Sequence, residues 1–96
     1  MRANEVFTAL ADPTRRVIVE ALARAGSCTA TELASDMPIT RQAVAKHLAT
    51  LHRAGLVIPE RRGRESRYRL ITDPLSDVID WLENVCERVD SEEAAA

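Results

Sequence analysis

The stretch Thr40-Arg41-Gln42-Ala43-Val44-Ala45-Lys46-His47-Leu48-Ala49-Thr50-Leu51-His52-Arg53-Ala54-Gly55-Leu56-Val57 reads as one helix with two unlike faces. At about 100° per residue, Val44, Leu48 and Leu51 fall in one narrow sector, while Gln42, Lys46, Ala49 and Arg53 fall opposite. The first set is fit for a core and the second for reaching outward. Thr40 is a good N-cap and Gly55 a good stop. Arg41, Gln42, Ala45 and Lys46 then occupy the first two turns, where a helix lying in a DNA groove meets base edges and phosphates. His47 lies about 60° from the centre of the apolar sector. A satisfied boundary histidine is the simpler reading there than a ligand, and His52 is read in the same way.

Upstream, Thr29-Ala30-Thr31-Glu32 has the capping-box pattern, in which threonine hydroxyl and glutamate carboxylate satisfy each other's backbone amides. A short helix should follow to about Asp36, with Leu33 and Ala34 inward, and Met37-Pro38-Ile39 joins it to Thr40. Two helices joined by a short turn, the second with polar reach at its start, make a helix-turn-helix pattern.

Two further helices precede this pair. Val6, Phe7 and Leu10 recur at helical spacing, and Asp12-Pro13 then supplies an N-cap followed by proline at the first helical position. From Pro13 to Ala25 the stripe Val17, Ile18, Ala21, Leu22, Ala25 predicts one buried face. Arg15 and Arg16 follow the cap, where an ion pair within the fold and a phosphate contact fit equally well.

Downstream of Gly55, Leu56-Val57-Ile58 opens an extended segment, and five of the eleven residues from Glu60 to Leu70 are arginines. Ser66, Tyr68 and Leu70 alternate with Arg67, Arg69 and Ile71, the period of a half-buried strand with Tyr68 on its apolar side. The pair of strands predicts a β-hairpin with Gly63 near its tip and Pro59 on an edge strand. Asp73-Pro74 caps a last helix, along which Leu75, Val78, Leu82, Val85 and Val89 form a heptad-like seam widened by Ile79 and Cys86, with Trp81 beside it. A seam of that kind calls for a partner.

The net charge of −2 conceals a segregation. Residues 1–40 carry net −1, residues 41–72 carry +6 and residues 73–96 carry −7. The middle third is thus the nucleic-acid candidate. Its arginines suit phosphate, and arginine and glutamine can pair bidentately with guanine and adenine. The candidate DNA-binding set is Thr40, Arg41, Gln42, Ala45 and Lys46 on the helix and Arg61, Arg62, Arg64 and Arg67 on the hairpin.

The order helix, helix, helix-turn-helix, arginine-tipped hairpin, helix is that of a winged helix. The fold class expected is mainly α with a small β-hairpin, α-α-α-α-β-β-α, as one DNA-binding and dimerisation domain over residues 1–90. Residues 91–96 are expected to form a frayed tail. The residues themselves resemble the ArsR/SmtB family of bacterial repressors. The carriers are FTALADPTRRVIVEAL (Phe7 to Leu22), TATELASDMPITRQAVAKHLATLHRAGLV (Thr29 to Val57) and GRESRYRL (Gly63 to Leu70). The resemblance implies a homodimer, held mainly by the first and last helices, that binds a palindromic operator on double-stranded DNA and represses transcription. Val6, Leu10, Leu75, Val78, Leu82 and Val85 are the candidate dimer contacts.

Metal-sensing members carry a Cys-x-Cys-Asp/Glu-Leu signature where this chain has Thr29-Ala30-Thr31-Glu32-Leu33. Threonine supplies no soft thiolate. A second family site uses histidines and carboxylates on the last helix, which here has Asp73, Asp77, Asp80, Glu83 and Glu87 but no histidine. Carboxylates alone suit hard ions better than zinc. The metal-independent branch of the family is therefore expected, with no metal and no cofactor, and no residue pattern names an inducing signal.

Cys28 and Cys86 lack CxxC spacing and are expected to be buried or semi-buried free thiols. With no apolar run near the roughly 20 residues that span a bilayer, a cytoplasmic protein without a membrane partner is expected. An enzyme finds no support, for the chain has no glycine-rich phosphate loop and no nucleophile motif. The alternative to a DNA-binding regulator is a winged-helix module that binds other proteins.

Overall fold

The computed structural model describes residues 3–95, and side chains to residue 91. The elements follow the order α1 (Ala3–Leu10), α2 (Pro13–Ala25), β1 (Cys28–Thr29), α3 (Ala30–Ser35), α4 (Arg41–Arg53), β2 (Val57–Arg62), β3 (Glu65–Leu70) and α5 (Asp73–Ala95). This is the expected winged helix with one added strand. β1 pairs antiparallel with β3 through Cys28↔Tyr68 and Thr29↔Arg67, giving the sheet order β1-β3-β2. Two residues are too short a run to carry a period-two signal. β2 is left at the edge, where Pro59 sacrifices no ladder hydrogen bond.

Local chemistry sets the helix ends. Asp12 opens α2 by accepting from the amides of Thr14 and Arg15 at 2.8 and 3.1 Å, and these amides, Arg15 first, hold its carboxyl below the ordinary aspartate range. At the other end of α4, the Leu56 amide donates to the Leu51 carbonyl and the Gly55 amide to that of His52, both at 2.9 Å. That double closure needs a left-handed residue, which Gly55 supplies at φ 79°. Leu51 and Leu56, the two residues the closure brings together, are both fully buried. α5 starts one residue past its cap, with the Thr72 carbonyl accepting from Ser76 at 2.9 Å, so Asp73 is the first helical residue rather than the cap.

Val44, Leu48 and Leu51 of α4 meet Ile18 and Leu22 of α2, Leu33 of α3, Val6 and Ala9 of α1, and Leu56 and Val57 in a single core. The stripe predicted on α2 is narrower than expected. Ile18 and Leu22 are buried, but Val17 and Ala25 are exposed, because the sheet and α4 cover α2 from one side only.

α5 is the outlier in shape. The radius of gyration is 16.3 Å, against about 12.5 Å for a compact chain of this length. A helix of 23 residues is roughly 35 Å long, and only its first turns pack on the protomer. It also continues as helix through Ala95, where a frayed tail was expected. Glu and Ala are strong helix formers, and nothing in Ser91–Ala95 breaks the helix. Among the described residues no helix is long and apolar enough to cross a membrane.

Candidate nucleic-acid interface

Thr40 Oγ1 accepts from the Ala43 amide at 3.1 Å and fixes where α4 begins. With Val44, Leu48 and Leu51 at 0% exposure, the helix cannot rotate, so Arg41, Gln42, Ala45, Lys46, Ala49 and Arg53 are held out to solvent. The wing stands beside it. Arg41 and Ala45 of α4 and Arg61 and Arg64 of the hairpin line one groove of about 570 Å³, together with Thr31, Ser66 and the carboxylates Glu32 and Glu65. Two basic elements far apart in the chain thus face a common space.

The wing arginines are not equivalent. Arg62 and Arg69 share Glu60, at 3.5 and 3.3 Å, which partly neutralises both. Arg61 Nε donates to the Gly63 carbonyl at 3.0 Å and braces the turn, which Gly63 makes at φ 62°. Arg64, at the tip, is exposed and has no ion pair among the described residues. Arg67 departs from expectation. Its side chain is only 21% exposed and is turned inward, with Nη1 3.1 Å from Glu32 Oε1. Its Nε donates to Ser27 Oγ at 3.1 Å and its Nη2 to the Ser27 carbonyl at 3.2 Å. A guanidinium engaged on three sides within the chain has little left for phosphate.

Arg15 and Arg16 are likewise structural. Arg15 donates to the carbonyls of Ala9 and Thr8 at 2.6 and 3.1 Å, and Arg16 to those of Leu10 and Ala11 at 2.7 and 3.2 Å. Together they cap the C-terminus of α1, which has no basic residue of its own in the last turn. Arg15 Nη1 also lies 3.5 Å from His47 Nδ1, giving that boundary histidine a partner within the fold.

At the start of α3 the capping box is formed. Thr29 Oγ1 accepts from the Glu32 amide at 3.0 Å, and Glu32 Oε1 accepts from the Thr29 amide at 2.9 Å. The Thr29 amide, and beyond it Arg67, holds the Glu32 carboxyl below the usual glutamate range. Among the described residues no three His, Cys, Asp or Glu side chains gather as a metal site would require. Cys28 is buried, and burial pushes its thiol up; Cys86, by contrast, is exposed.

The candidate dimer contacts divide. Val6 at 1% and Val78 at 8% exposure are core residues of the protomer, and Leu10 and Leu75 pack partly against that core. The heptad-like seam is therefore divided: its first turns meet the chain's own α1, and the later turns are open. Leu82 and Val85 remain 47% and 43% exposed, in company with Ile79, Trp81, Val89 and, from α1, Phe7. Phe7 and Trp81 touch edge to face, with ring centroids 5.8 Å apart. Phe7 was readable as a helix-face residue but not as one pointing away from the core.

Comparison with known proteins agrees with the winged-helix fold. A family model described as a helix-turn-helix domain matches residues 10–60. The transcriptional repressor SdpR of Bacillus subtilis is 35% identical over 89 residues, spanning 93% of this chain and 98% of SdpR. An ArsR-like transcriptional regulator from Rhodococcus sp. RHA1 superposes with a TM-score of 0.90 at 40% identity, over 98% of this chain and 85% of that one. The cadmium metal-sensor CmtR from Mycobacterium tuberculosis superposes with a TM-score of 0.61 at 42% identity, over 70% of this chain and 68% of its own. The chain belongs to the ArsR/SmtB family of helix-turn-helix DNA-binding transcriptional regulators, a family of regulators and not of enzymes.

Proposed function

We propose that the protein is a homodimeric repressor that binds a palindromic operator in the cytoplasm without needing a metal. The observation that carries this reading is the shared groove between the start of α4 and the wing. In each half-site α4 enters the major groove. Arg41, Gln42 and Lys46 reach base edges and groove phosphates, and Ala45 is small enough to let the helix approach or to meet a thymine methyl. Thr40 sets the entry point of the helix. Arg64, with Arg61 and Arg62 behind it, reaches the flanking backbone or minor groove.

The open apolar strip on α5 and Phe7 supports dimerisation. A two-fold dimer would place the reading helices about one helical turn of DNA apart, or a multiple of it, and so require a palindrome. Metal independence is supported by residue chemistry. Where metal-sensing relatives have thiolates, this chain has threonines, and Thr29 and Glu32 are already engaged in the capping box. The test is a titration of the protein against duplexes tiled across the region upstream of its own gene. A saturable, salt-sensitive complex on one palindromic segment is expected; equal affinity for every tile contradicts an operator-specific regulator.

A further inference from the structure

Of the two hairpin arginines that the DNA-binding reading does not use, Arg69 pairs with Glu60 within the hairpin, whereas the surroundings of Arg67 reach beyond it. Arg67 sits on β3 opposite Thr29 of β1 and reaches three separate segments. These are Ser27 in the link from α2, Glu32 on α3, and, at 3.4 Å, Glu65 on its own strand. The same Glu32 oxygen that Arg67 meets also accepts from the Thr29 amide. One guanidinium therefore ties the base of the wing to the capping box that starts the helix-turn-helix. Residue 64 at the wing tip is only three residues away, about 10 Å along a strand, and α3 packs directly on α4.

We propose that Arg67 is a positioning residue: through Ser27 and Glu32 it sets the width of the groove between the wing and the reading helix, so that Arg64 and Arg41 engage DNA together. The proposal rests on the DNA-binding reading above and adds a residue that touches no DNA. A three-segment tie of this kind needs the planar, multi-donor fork of arginine, which lysine cannot reproduce. Without it, the β ladder would remain but the spacing of the wing from α4 would be fixed only on the DNA, and affinity would fall by the cost of fixing it there.

The test measures binding of the full chain to its operator over a salt series, for wild type, Arg67→Ala, Arg67→Lys, Glu32→Gln and the double variant Arg67→Ala/Glu32→Gln. Arg67→Ala is expected to weaken binding roughly tenfold, an ordering cost, with the slope of log K against log salt unchanged. A phosphate contact would instead lower that slope by about one per site, or about two per dimer. Arg67→Lys should recover only part of the loss. Glu32→Gln keeps the capping box, because glutamine can still accept from the Thr29 amide. It also removes a negative charge from the wall of the groove, so simple electrostatics predicts tighter binding, whereas the tie predicts weaker binding. The double variant should be no worse than Arg67→Ala alone, since both break one network.

A reduced salt slope for Arg67→Ala, or tighter binding by Glu32→Gln, overturns the proposal. If Arg67→Ala does not fold, as read by its thermal melt, the exposed Glu32→Gln variant decides alone. Failure of the wild-type chain to bind any duplex would overturn the DNA-binding reading and the tie with it. Wild-type binding with unaffected variants overturns only the tie.

Discussion

Replacing Leu82 by alanine tests the proposed dimer separately from the fold of the single chain. Leu82 is 47% exposed, so about half its surface is already used within the chain, and roughly 1 kcal/mol of apolar burial remains to be gained at an interface. A two-fold axis counts the loss twice, and the void left in a packed seam adds to it. Leu82→Ala should therefore cost the dimer about 2 to 3 kcal/mol, a 30- to 140-fold rise in its dissociation constant at about 1.4 kcal/mol per decade. Sedimentation equilibrium over a concentration series reads that constant directly, and far-UV circular dichroism checks that the helices are intact. Operator affinity should fall in parallel, because a monomer engages one half-site only. A wild-type dimer whose constant Leu82→Ala changes by less than threefold would refute the reasoning and put the interface elsewhere.

Leu48→Ala, at a site with no exposed surface, should destabilise the fold by about 2 to 5 kcal/mol, measured by urea denaturation. Acid should loosen the helix starts. Asp12 and Glu32 are both held below their ordinary values, so their contribution is present above the unfolded values and lost as pH falls through the folded ones, from about pH 4.5 downward. The melting temperature of Asp12→Asn/Glu32→Gln should accordingly vary less over that range than that of wild type. Zinc, cadmium and arsenite should leave the operator complex intact in an anisotropy assay, and tight stoichiometric binding coupled to release would contradict metal independence.

Those features whose signal is local were legible in the residues. Asp12-Pro13, Thr29 with Glu32, Thr40 and Gly55 each mark a helix end by chemistry acting within five residues, and each end lies where expected. What was not legible depended on distance. Arg67 looked like its neighbours in a basic run, and only Ser27, 40 positions away, and Glu32 turn it inward. β1 exists because β3 offers it a partner. The α5 seam has uniform spacing, yet Val78 is buried and Leu82 open, because α1 is eight residues long and covers only the near turns. Periodicity reports that a face is apolar, not which neighbour covers it.

The most direct measurement of the central claim compares Gln42→Ala and Arg64→Ala with wild type on the operator and on a scrambled duplex across a salt series. If α4 reads and the wing anchors, Gln42→Ala loses about 1 to 3 kcal/mol on the operator and relaxes discrimination at one base pair in each half-site. Arg64→Ala instead weakens both duplexes alike and flattens the salt dependence by about two units of slope per dimer. A Gln42→Ala variant with wild-type base preference, or an Arg64→Ala variant with the wild-type salt slope, would contradict the account.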